Sequence, residues 1–113
     1  MQLSEEEKAQ YSRHLILEDV GLDGQLKLKQ AKVLVIGAGG LGCPILLYLS
    51  AAGVGTIGVV DDDSVDQSNL QRQVLFTHED IGKSKAQAAS ERLQLLNPFI
   101  SIVPHLVRLS KEN

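Results

Sequence analysis

The sequence has a single cysteine among its 113 residues and no charged residue between Val33 and Val60. One cysteine excludes a disulfide scaffold, and it excludes a zinc site built from several cysteines of this chain. The N-terminus is acidic and lacks the apolar segment of a secretory signal, so we expect a cytoplasmic protein. Lysine and arginine number 11 against 14 aspartates and glutamates, which gives a net charge of −3. This balance excludes a basic nucleic-acid-binding arm, and we expect no nucleic acid as a partner.

The uncharged run from Val33 to Val60 is 28 residues long, which exceeds the ~20 that a membrane-spanning helix requires. However, seven of the ten glycines lie inside it, together with Pro44. Each glycine in a helix interior costs roughly 1 kcal/mol relative to alanine. We therefore interpret the run as a buried strand, a turn, a helix and a second strand, and we expect no contact with a membrane.

Hydrophobic patterning predicts helices and strands that alternate along the chain. A capping box from Ser4 to Glu7 begins a helix that should reach about Leu17, and a turn around Gly21 to Gly24 precedes a short helix at 25–30. Strands are predicted at 32–36, 56–60 and 99–107, the first of them buried on both faces and the last with an edge-type proline, Pro104. Helices are predicted at 42–52, where Gly53 ends the helix, and at 83–96, beyond a polar loop.

This order predicts an α/β fold, a Rossmann-like parallel sheet with flanking helices. Residues 1–30 would form a helical N-terminal extension, and residues 31–113 a βαβαβ nucleotide-binding half. The predicted core leucines are Leu46, Leu47, Leu49, Leu93 and Leu96.

A glycine-rich turn follows the first predicted strand directly. The segment Gly37-Ala-Gly-Gly-Leu-Gly42 fits the pattern G-x-G-x-x-G and begins a helix. In that context the first glycine permits a tight turn, the second lets the backbone approach a phosphate, and the third lets helix and strand pack closely. Asp61 ends the second strand, where it would accept hydrogen bonds from ribose hydroxyls. Nucleotide binding is thus favoured over a purely structural turn.

Positive charge is missing from the glycine turn itself, because no lysine or arginine occurs from Val33 to Gln71. Chemistry on a triphosphate needs several cations. The first cations after this stretch of sequence are Arg72, Lys83 and Lys85. The two lysines are predicted to lie in the first turn of a helix. Lysine there opposes the helix dipole, so either a bound anion or a solvated helix end explains it. Cys43 is interpreted as a packed small residue.

Several segments together resemble the MoeB/ThiF family, the bacterial relatives of ubiquitin-activating enzymes. They are Tyr11-Ser-Arg-His-Leu-Ile-Leu17, Gly24-Gln25, Val35-Ile-Gly-Ala-Gly-Gly-Leu-Gly-Cys43, Asp61-Asp-Asp-Ser-Val-Asp-Gln-Ser-Asn-Leu-Gln-Arg-Gln73 and Ile81-Gly-Lys-Ser-Lys-Ala86. The resemblance implies an enzyme that uses ATP and Mg²⁺ to adenylate the C-terminal glycine of a ubiquitin-like sulfur-carrier protein, in a molybdopterin or thiamine pathway.

The resemblance also implies a role for particular residues. Arg72 and Lys85 would act on the triphosphate, and Arg13 would reach the ATP of a neighbouring subunit, so we expect a homodimer. The implied nucleotide-binding set comprises Gly37, Gly39, Gly40, Gly42, Asp61, Asp63, Ser68, Asn69, Leu70, Gln71, Arg72 and Lys85. No metal ligand is assigned within this chain.

Enzymes of this family run to roughly twice this length, so the sequence is expected to be the N-terminal half of a ThiF-type adenylation domain and to be inactive alone. The second half would bring a magnesium-binding aspartate and cysteine pairs for zinc. Two other classes stay open: an NAD-dependent Rossmann oxidoreductase, suggested by the glycines and Asp61, and a nucleotide-binding module without catalytic activity.

Overall fold

A computed structural model describes residues 2–113, in which three parallel strands form a sheet with the order β1-β2-β3. The strands are β1 (Lys32–Ile36), β2 (Thr56–Val60) and β3 (Ser101–His105). Helix α4 (Gly42–Ala52) connects β1 to β2, and helix α5 (Lys85–Leu96) connects β2 to β3. The predicted Rossmann-like α/β class is therefore confirmed. Within residues 2–113, every helix falls short of the length and apolar character that a membrane-spanning helix needs.

The core lies between one face of the sheet and the helices α4 and α5. Because side chains alternate along a strand, Val35, Ile57 and Ile102 lie on this covered face. Leu46 of α4 and Leu93 of α5 are fully buried against it, as predicted. Leu47 and Leu49 pack at its margin, whereas Leu96, also predicted to be core, is 44% exposed because it lies in the last turn of α5.

The opposite face of the sheet is open in this chain. Leu34, Ile36 and Val103 point to that side and are 53%, 58% and 40% exposed. The prediction that β1 is buried on both faces is thus wrong for these residues, because both connecting helices pack on the same side. Strand β2 is the central strand and is buried over its last four residues. Pro104 lies in β3, an edge strand, as predicted.

The N-terminal region consists of three helices: α1 (Glu5–Gln10), α2 (Ser12–Leu15) and α3 (Gly21–Gln30). The predicted capping box is present, since the Ser4 hydroxyl accepts from the Glu7 N–H at 3.1 Å and Glu7 accepts from the Ser4 N–H at 3.0 Å. A single helix to Leu17 is wrong. The helix is interrupted at Tyr11, whose buried side chain accepts a hydrogen bond at its hydroxyl from Asn97 Nδ2 at 2.7 Å.

The other element boundaries follow the predictions with a few corrections. α3 begins at Gly21 rather than at Gln25, because the Gly24 N–H already donates to the Val20 carbonyl at 2.8 Å. The ends of β1, α4 and β2 are as predicted, and Gly53 ends α4 with a φ of 95°. α5 begins two residues later than predicted, and β3 is shorter at both ends. Lys83 precedes the N-cap Ser84, so it is not in the first turn of the helix.

The polar loop between β2 and α5 contains two short 3-10 helices, Gln67–Asn69 and His78–Asp80. The second is fixed by Asp80, which is 1% exposed. Its carboxylate accepts from the Thr77 N–H at 2.8 Å and from Arg92 Nε of α5 at 3.2 Å. Burial alone would raise the pKa of Asp80, but the Thr77 N–H and the Arg92 guanidinium outweigh it and lower the pKa. The loop is therefore anchored to α5 by an ionised carboxylate.

Asp80→Asn should lower the free energy of unfolding at pH 7 by about 2 kcal/mol, because it removes hydrogen bonds to a charged group. A lowered pKa in the folded state contributes stability that is present above the unfolded pKa of about 3.9 and is lost as the pH falls through the folded value. The difference between wild type and variant should therefore shrink below about pH 4. Urea unfolding at pH 7 and pH 3 measures it. Glu79→Gln is the control, because Glu79 is 87% exposed. An equal effect of both variants would contradict the anchoring role.

Candidate nucleotide-binding site

The glycine turn joins β1 to α4 at the carboxyl end of the sheet. Gly37 has a φ of 94°, which L side chains rarely adopt, and this agrees with its predicted role in a tight turn. A Cβ on Gly42 would lie 2.0 Å from the Gly37 carbonyl oxygen, so only glycine lets α4 start this close to β1. At Gly40, by contrast, a Cβ would meet nothing within 4 Å. The middle of the turn is thus open to a ligand.

Gly42→Ala should therefore lower the free energy of unfolding by about 1–3 kcal/mol, since the helix must shift to accept a methyl group. Gly40→Ala is the matched control, and we expect its stability to stay close to that of the wild type. Thermal melting followed by circular dichroism compares the two variants. If both melt alike, close packing at Gly42 is not what the turn requires.

Asp61 ties the glycine turn to the end of β2. Its Oδ2 accepts from the Ala38 N–H at 2.8 Å, and its Oδ1 accepts from the Asp63 N–H at 2.8 Å. Each oxygen keeps a second lone pair, so the carboxylate still has room for donors from a ligand. Ligand atoms of Asp61, Asp62 and Asp63 lie within 4.8 Å of one another. Carboxylate oxygens of this kind suit Mg²⁺, especially when substrate phosphates complete its coordination.

Lys85 is the first residue of α5, and only 7% of it is exposed. Its backbone N–H donates to the Asp63 carbonyl at 2.9 Å, which connects it through Asp61 to the glycine turn. Within residues 2–113, no carboxylate lies within 4.0 Å of its ammonium group. The ion pairs in that part of the chain are made by Lys8, Lys29, Lys83 and Arg92. Most of the Lys85 side chain is shielded from solvent, whereas a solvated helix end predicts an exposed lysine. Lys83 differs, since it is 46% exposed and pairs with Asp80 and Glu91.

The segment from Asp66 to Arg72 is held by hydrogen bonds between its own residues. Asp66 accepts from the Ser68 N–H at 3.0 Å, and the Asp66 N–H donates to Asn69 Oδ1 at 2.9 Å. The Ser68 hydroxyl also donates to Asp66 and, with its N–H, lowers the pKa of that carboxyl. Arg72 is exposed and donates from Nη1 to the Ser68 carbonyl at 3.3 Å, with no carboxylate partner among residues 2–113. Leu70 is half-buried and Gln71 is exposed.

A cavity of about 150 Å³ opens beside this group, lined by Gly37, the three aspartates 61–63 and Arg108. Arg13 is not part of it. It lines a separate cavity with Gln10, Tyr11, His14 and Ala51, near the C-terminal end of α4. The glycine turn is at the other end of this 11-residue helix, which is about 16 Å long. The structure therefore brings together the glycines, Asp61, Asp63 and Lys85, but not Arg13.

Two residues of the region were not singled out by sequence reasoning. Arg108 lies beyond the last strand, where no motif marks it. Gln73, the last residue of a segment that carries the family resemblance, was given no role, and it is 3% exposed. Cys43 is a packed residue as predicted: it is fully buried, burial raises the pKa of its thiol, and its Sγ donates to the Ala38 carbonyl at 3.3 Å.

The parallel sheet, with a glycine turn after β1, a carboxylate after β2 and a lysine at the start of α5, defines a Rossmann-like α/β domain. More particularly, the chain belongs to the ThiF family, whose sequence profile matches residues 11–113.

Two curated relatives have names that describe an activity. "Probable adenylyltransferase/sulfurtransferase MoeZ" of Mycobacterium tuberculosis is 61% identical over 111 residues, which are 98% of this chain and 28% of MoeZ. "Sulfur carrier protein adenylyltransferase" of Thermus thermophilus is 54% identical over 113 residues, which are 100% of this chain and 42% of that protein. The chain thus spans less than half the length of the curated relatives it matches.

Two solved structures have a fold similar to that of this chain. PaaA matches with a TM-score of 0.88 and 35% identity over 96% of this chain and 36% of its own. Escherichia coli MccB, solved with ATP, matches with a TM-score of 0.80 and 34% identity over 90% of this chain and 31% of its own.

Proposed function

We propose that this chain forms the ATP-binding part of an adenylyltransferase that activates the C-terminal glycine carboxylate of a ubiquitin-like sulfur-carrier protein. The observation that carries the proposal is Lys85, which is 7% exposed as a residue and whose ammonium has no carboxylate within 4.0 Å in residues 2–113. A cation in a largely shielded side chain, with no carboxylate beside it, needs a negative partner, and nucleotide phosphates would supply it. The adenylyltransferase names of two relatives and the MccB structure with ATP support this proposal.

Each element of the site has a role in binding the nucleotide. Backbone N–H groups at Gly39 and Gly40 would contact phosphate at the start of α4. Asp61 would accept hydrogen bonds from ribose hydroxyls through its remaining lone pairs. Asn69, Arg72 and Lys85 would surround the triphosphate. The remaining proposed contacts come from Gly37, Gly42, Asp63, Ser68, Leu70 and Gln71.

The reaction itself is a displacement at phosphorus. A carboxylate oxygen of the carrier bonds to the α-phosphorus, and the bond from that phosphorus to pyrophosphate breaks. Arg72 and Lys85 would stabilise the negative charge on the phosphates, which otherwise repels an anionic nucleophile. The attacking carboxylate carries no proton that a base would have to remove, and the segments that carry the family resemblance suggest no acid–base pair. Mg²⁺ bound with ATP would neutralise further phosphate charge, and the aspartates 61–63 are suitable oxygen ligands.

A homodimer is part of this proposal, because Arg13 lies a helix length from the glycine turn of its own chain. In a dimer its guanidinium would reach the γ-phosphate of the ATP that the partner binds. The residue is exposed and pairs with no carboxylate among residues 2–113, so it is free to act on another subunit.

Calorimetric titration of ATP–Mg²⁺ and of NAD into the chain tests the proposal. We expect heat of binding with ATP–Mg²⁺ and none with NAD, because a buried lysine and Arg72 favour a triphosphate. Preferential binding of NAD would instead support the oxidoreductase. ATP–pyrophosphate exchange in a protein that contains this chain distinguishes catalysis from nucleotide binding alone.

We further propose that the 113-residue chain does not catalyse exchange alone and is only marginally stable. The support is the open sheet face, with Leu34, Ile36 and Val103 exposed, which favours self-association. Circular dichroism melting, sedimentation and pyrophosphate exchange on the chain test this. A cooperative, monomeric melt together with measurable exchange would contradict it.

A further inference from the structure

Arg13 lies in α2, a helix of only four residues that neighbouring segments must hold in place, because helices this short are unstable by themselves. Two polar contacts hold it, one on each side of Arg13. Before the helix, the hydroxyl of Tyr11 accepts from Asn97 Nδ2 at 2.7 Å. Directly after Arg13, the Nδ1 of His14 lies 2.9 Å from Gln25 Oε1. The backbone that carries Arg13 is thus fixed by residues of α3 and of the segment after α5.

Gln25 joins α2 to the end of α4, and it is fully buried although it is polar. Its Nε2 donates at 2.8 Å to the carbonyl of Ala52, the last residue of α4. Carbonyls in the last turn of a helix have no partner within the helix, so the glutamine satisfies one of them. A carbonyl oxygen only accepts, so this contact sets the orientation of the carboxamide and turns Oε1 toward His14. The His14 Nδ1 therefore carries a proton and donates it to Oε1.

The end of α4 leaves space for this arrangement. A Cβ built on Gly53 would lie 2.5 Å from Gln25 Nε2 and 2.8 Å from Tyr11 Cζ, so both side chains need a glycine there. Burying a carboxamide is unfavourable unless its two ends are paired, and an apolar side chain would fill the same space without that requirement. A fully paired polar network instead specifies one placement of the segments that it joins. The buried glutamine therefore defines where α2 lies relative to α4.

We propose that Gln25 is a positioning residue for Arg13, an inference that rests on the proposed function. Through His14 it fixes α2 against the end of α4, and it thereby sets the point from which the Arg13 guanidinium reaches the ATP of the partner subunit. Arg13 is exposed, and no ion pair holds it among residues 2–113, so its placement depends on the backbone of α2. In this role Gln25 contacts His14 and Ala52 rather than the nucleotide.

The test is Gln25→Met in a protein that contains this chain and catalyses ATP–pyrophosphate exchange. Methionine keeps the approximate size of the side chain and removes both polar ends of the carboxamide. We expect the rate of exchange to fall about 10- to 100-fold, the scale for a misplaced group at a reacting centre. Gln30→Met is the matched control, because Gln30 is the last residue of the same helix and is exposed, and it should exchange as wild type does.

Two measurements separate positioning from a general structural role. The double variant Arg13→Ala/Gln25→Met should be less than about twofold slower than Arg13→Ala, because a positioning residue has no effect once its target is gone, whereas independent losses multiply. In mixtures, Gln25→Met subunits should regain activity with Lys85→Met subunits, which supply a correctly placed Arg13. They should not regain it with Arg13→Ala subunits.

Thermal melting verifies that each variant is folded. If Gln25→Met does not fold, the pair His14→Leu and His14→Asn decides, since asparagine keeps a donor near the position of Nδ1 and should retain the exchange that leucine loses. Normal exchange by a folded Gln25→Met, multiplied losses in the double variant, or equal losses in both His14 variants would overturn the inference. Normal exchange by Arg13→Ala would instead overturn the proposed action of Arg13 itself, a distinct result.

Discussion

Replacing Lys85 by methionine should reduce ATP–pyrophosphate exchange about 10³-fold or more, the scale of other cations that clamp a transferring phosphate. The measurement uses a protein that contains this chain and catalyses exchange. The reason is that Lys85 is only 7% exposed and its ammonium has no carboxylate within 4.0 Å among residues 2–113, so in the proposed site phosphate would be its negative partner. Methionine keeps much of the apolar stem and should preserve the packing of α5. Arg72→Ala should cause a comparable loss, because Arg72 likewise has no carboxylate partner in residues 2–113.

Lys83→Met is the matched control, since this lysine lies two positions earlier but is 46% exposed and pairs with Asp80 and Glu91. We expect near-wild-type exchange and a slightly lower melting temperature. Circular dichroism confirms that each variant is folded. Near-wild-type exchange by Lys85→Met would remove Lys85 from the site, and an equal loss in Lys83→Met would indicate a nonspecific charge effect.

Subunits carrying Arg13→Ala should be inactive alone and should regain activity when mixed with Lys85→Met subunits. In the mixed dimer one site combines an intact Lys85 with Arg13 from the other chain. With random exchange about half of the dimers are mixed and each has one complete site, so about a quarter of the wild-type rate should return. The physical basis is the separation of Arg13 from the glycine turn of its own chain by the length of α4.

The control mixture combines Lys85→Met with Arg72→Ala subunits. In the proposed dimer both residues serve the site of their own chain, so no mixed dimer should have a complete site and no activity should return. Mass spectrometry of the mixture verifies that mixed dimers have formed. Recovery in the control, or its absence with Arg13→Ala, would contradict action across the dimer interface.

Sequence reasoning determined the features that depend on neighbouring residues. β1, α4 and β2 have the predicted ends, because continuous apolar runs bounded by glycines leave few alternatives. Gly53 takes the left-handed conformation that ends a helix, and the Ser4–Glu7 capping box forms within one turn. The tight turn at Gly37 and the close packing at Gly42 follow from the spacing of glycines after a strand.

Tertiary structure decided the features that depend on residues far apart in the chain. The helix break at Tyr11 is accompanied by a hydrogen bond to Asn97, 86 positions away, which no local pattern reveals. The same holds for exposure: Leu34 and Ile36 are exposed because α4 and α5 cover one face of the sheet only. Lys85 and Gln73 are polar residues in polar stretches of the sequence, yet the folded chain leaves them only 7% and 3% exposed. Their burial is set by the path of the chain in space, because a side chain loses its water only when other segments pack around it.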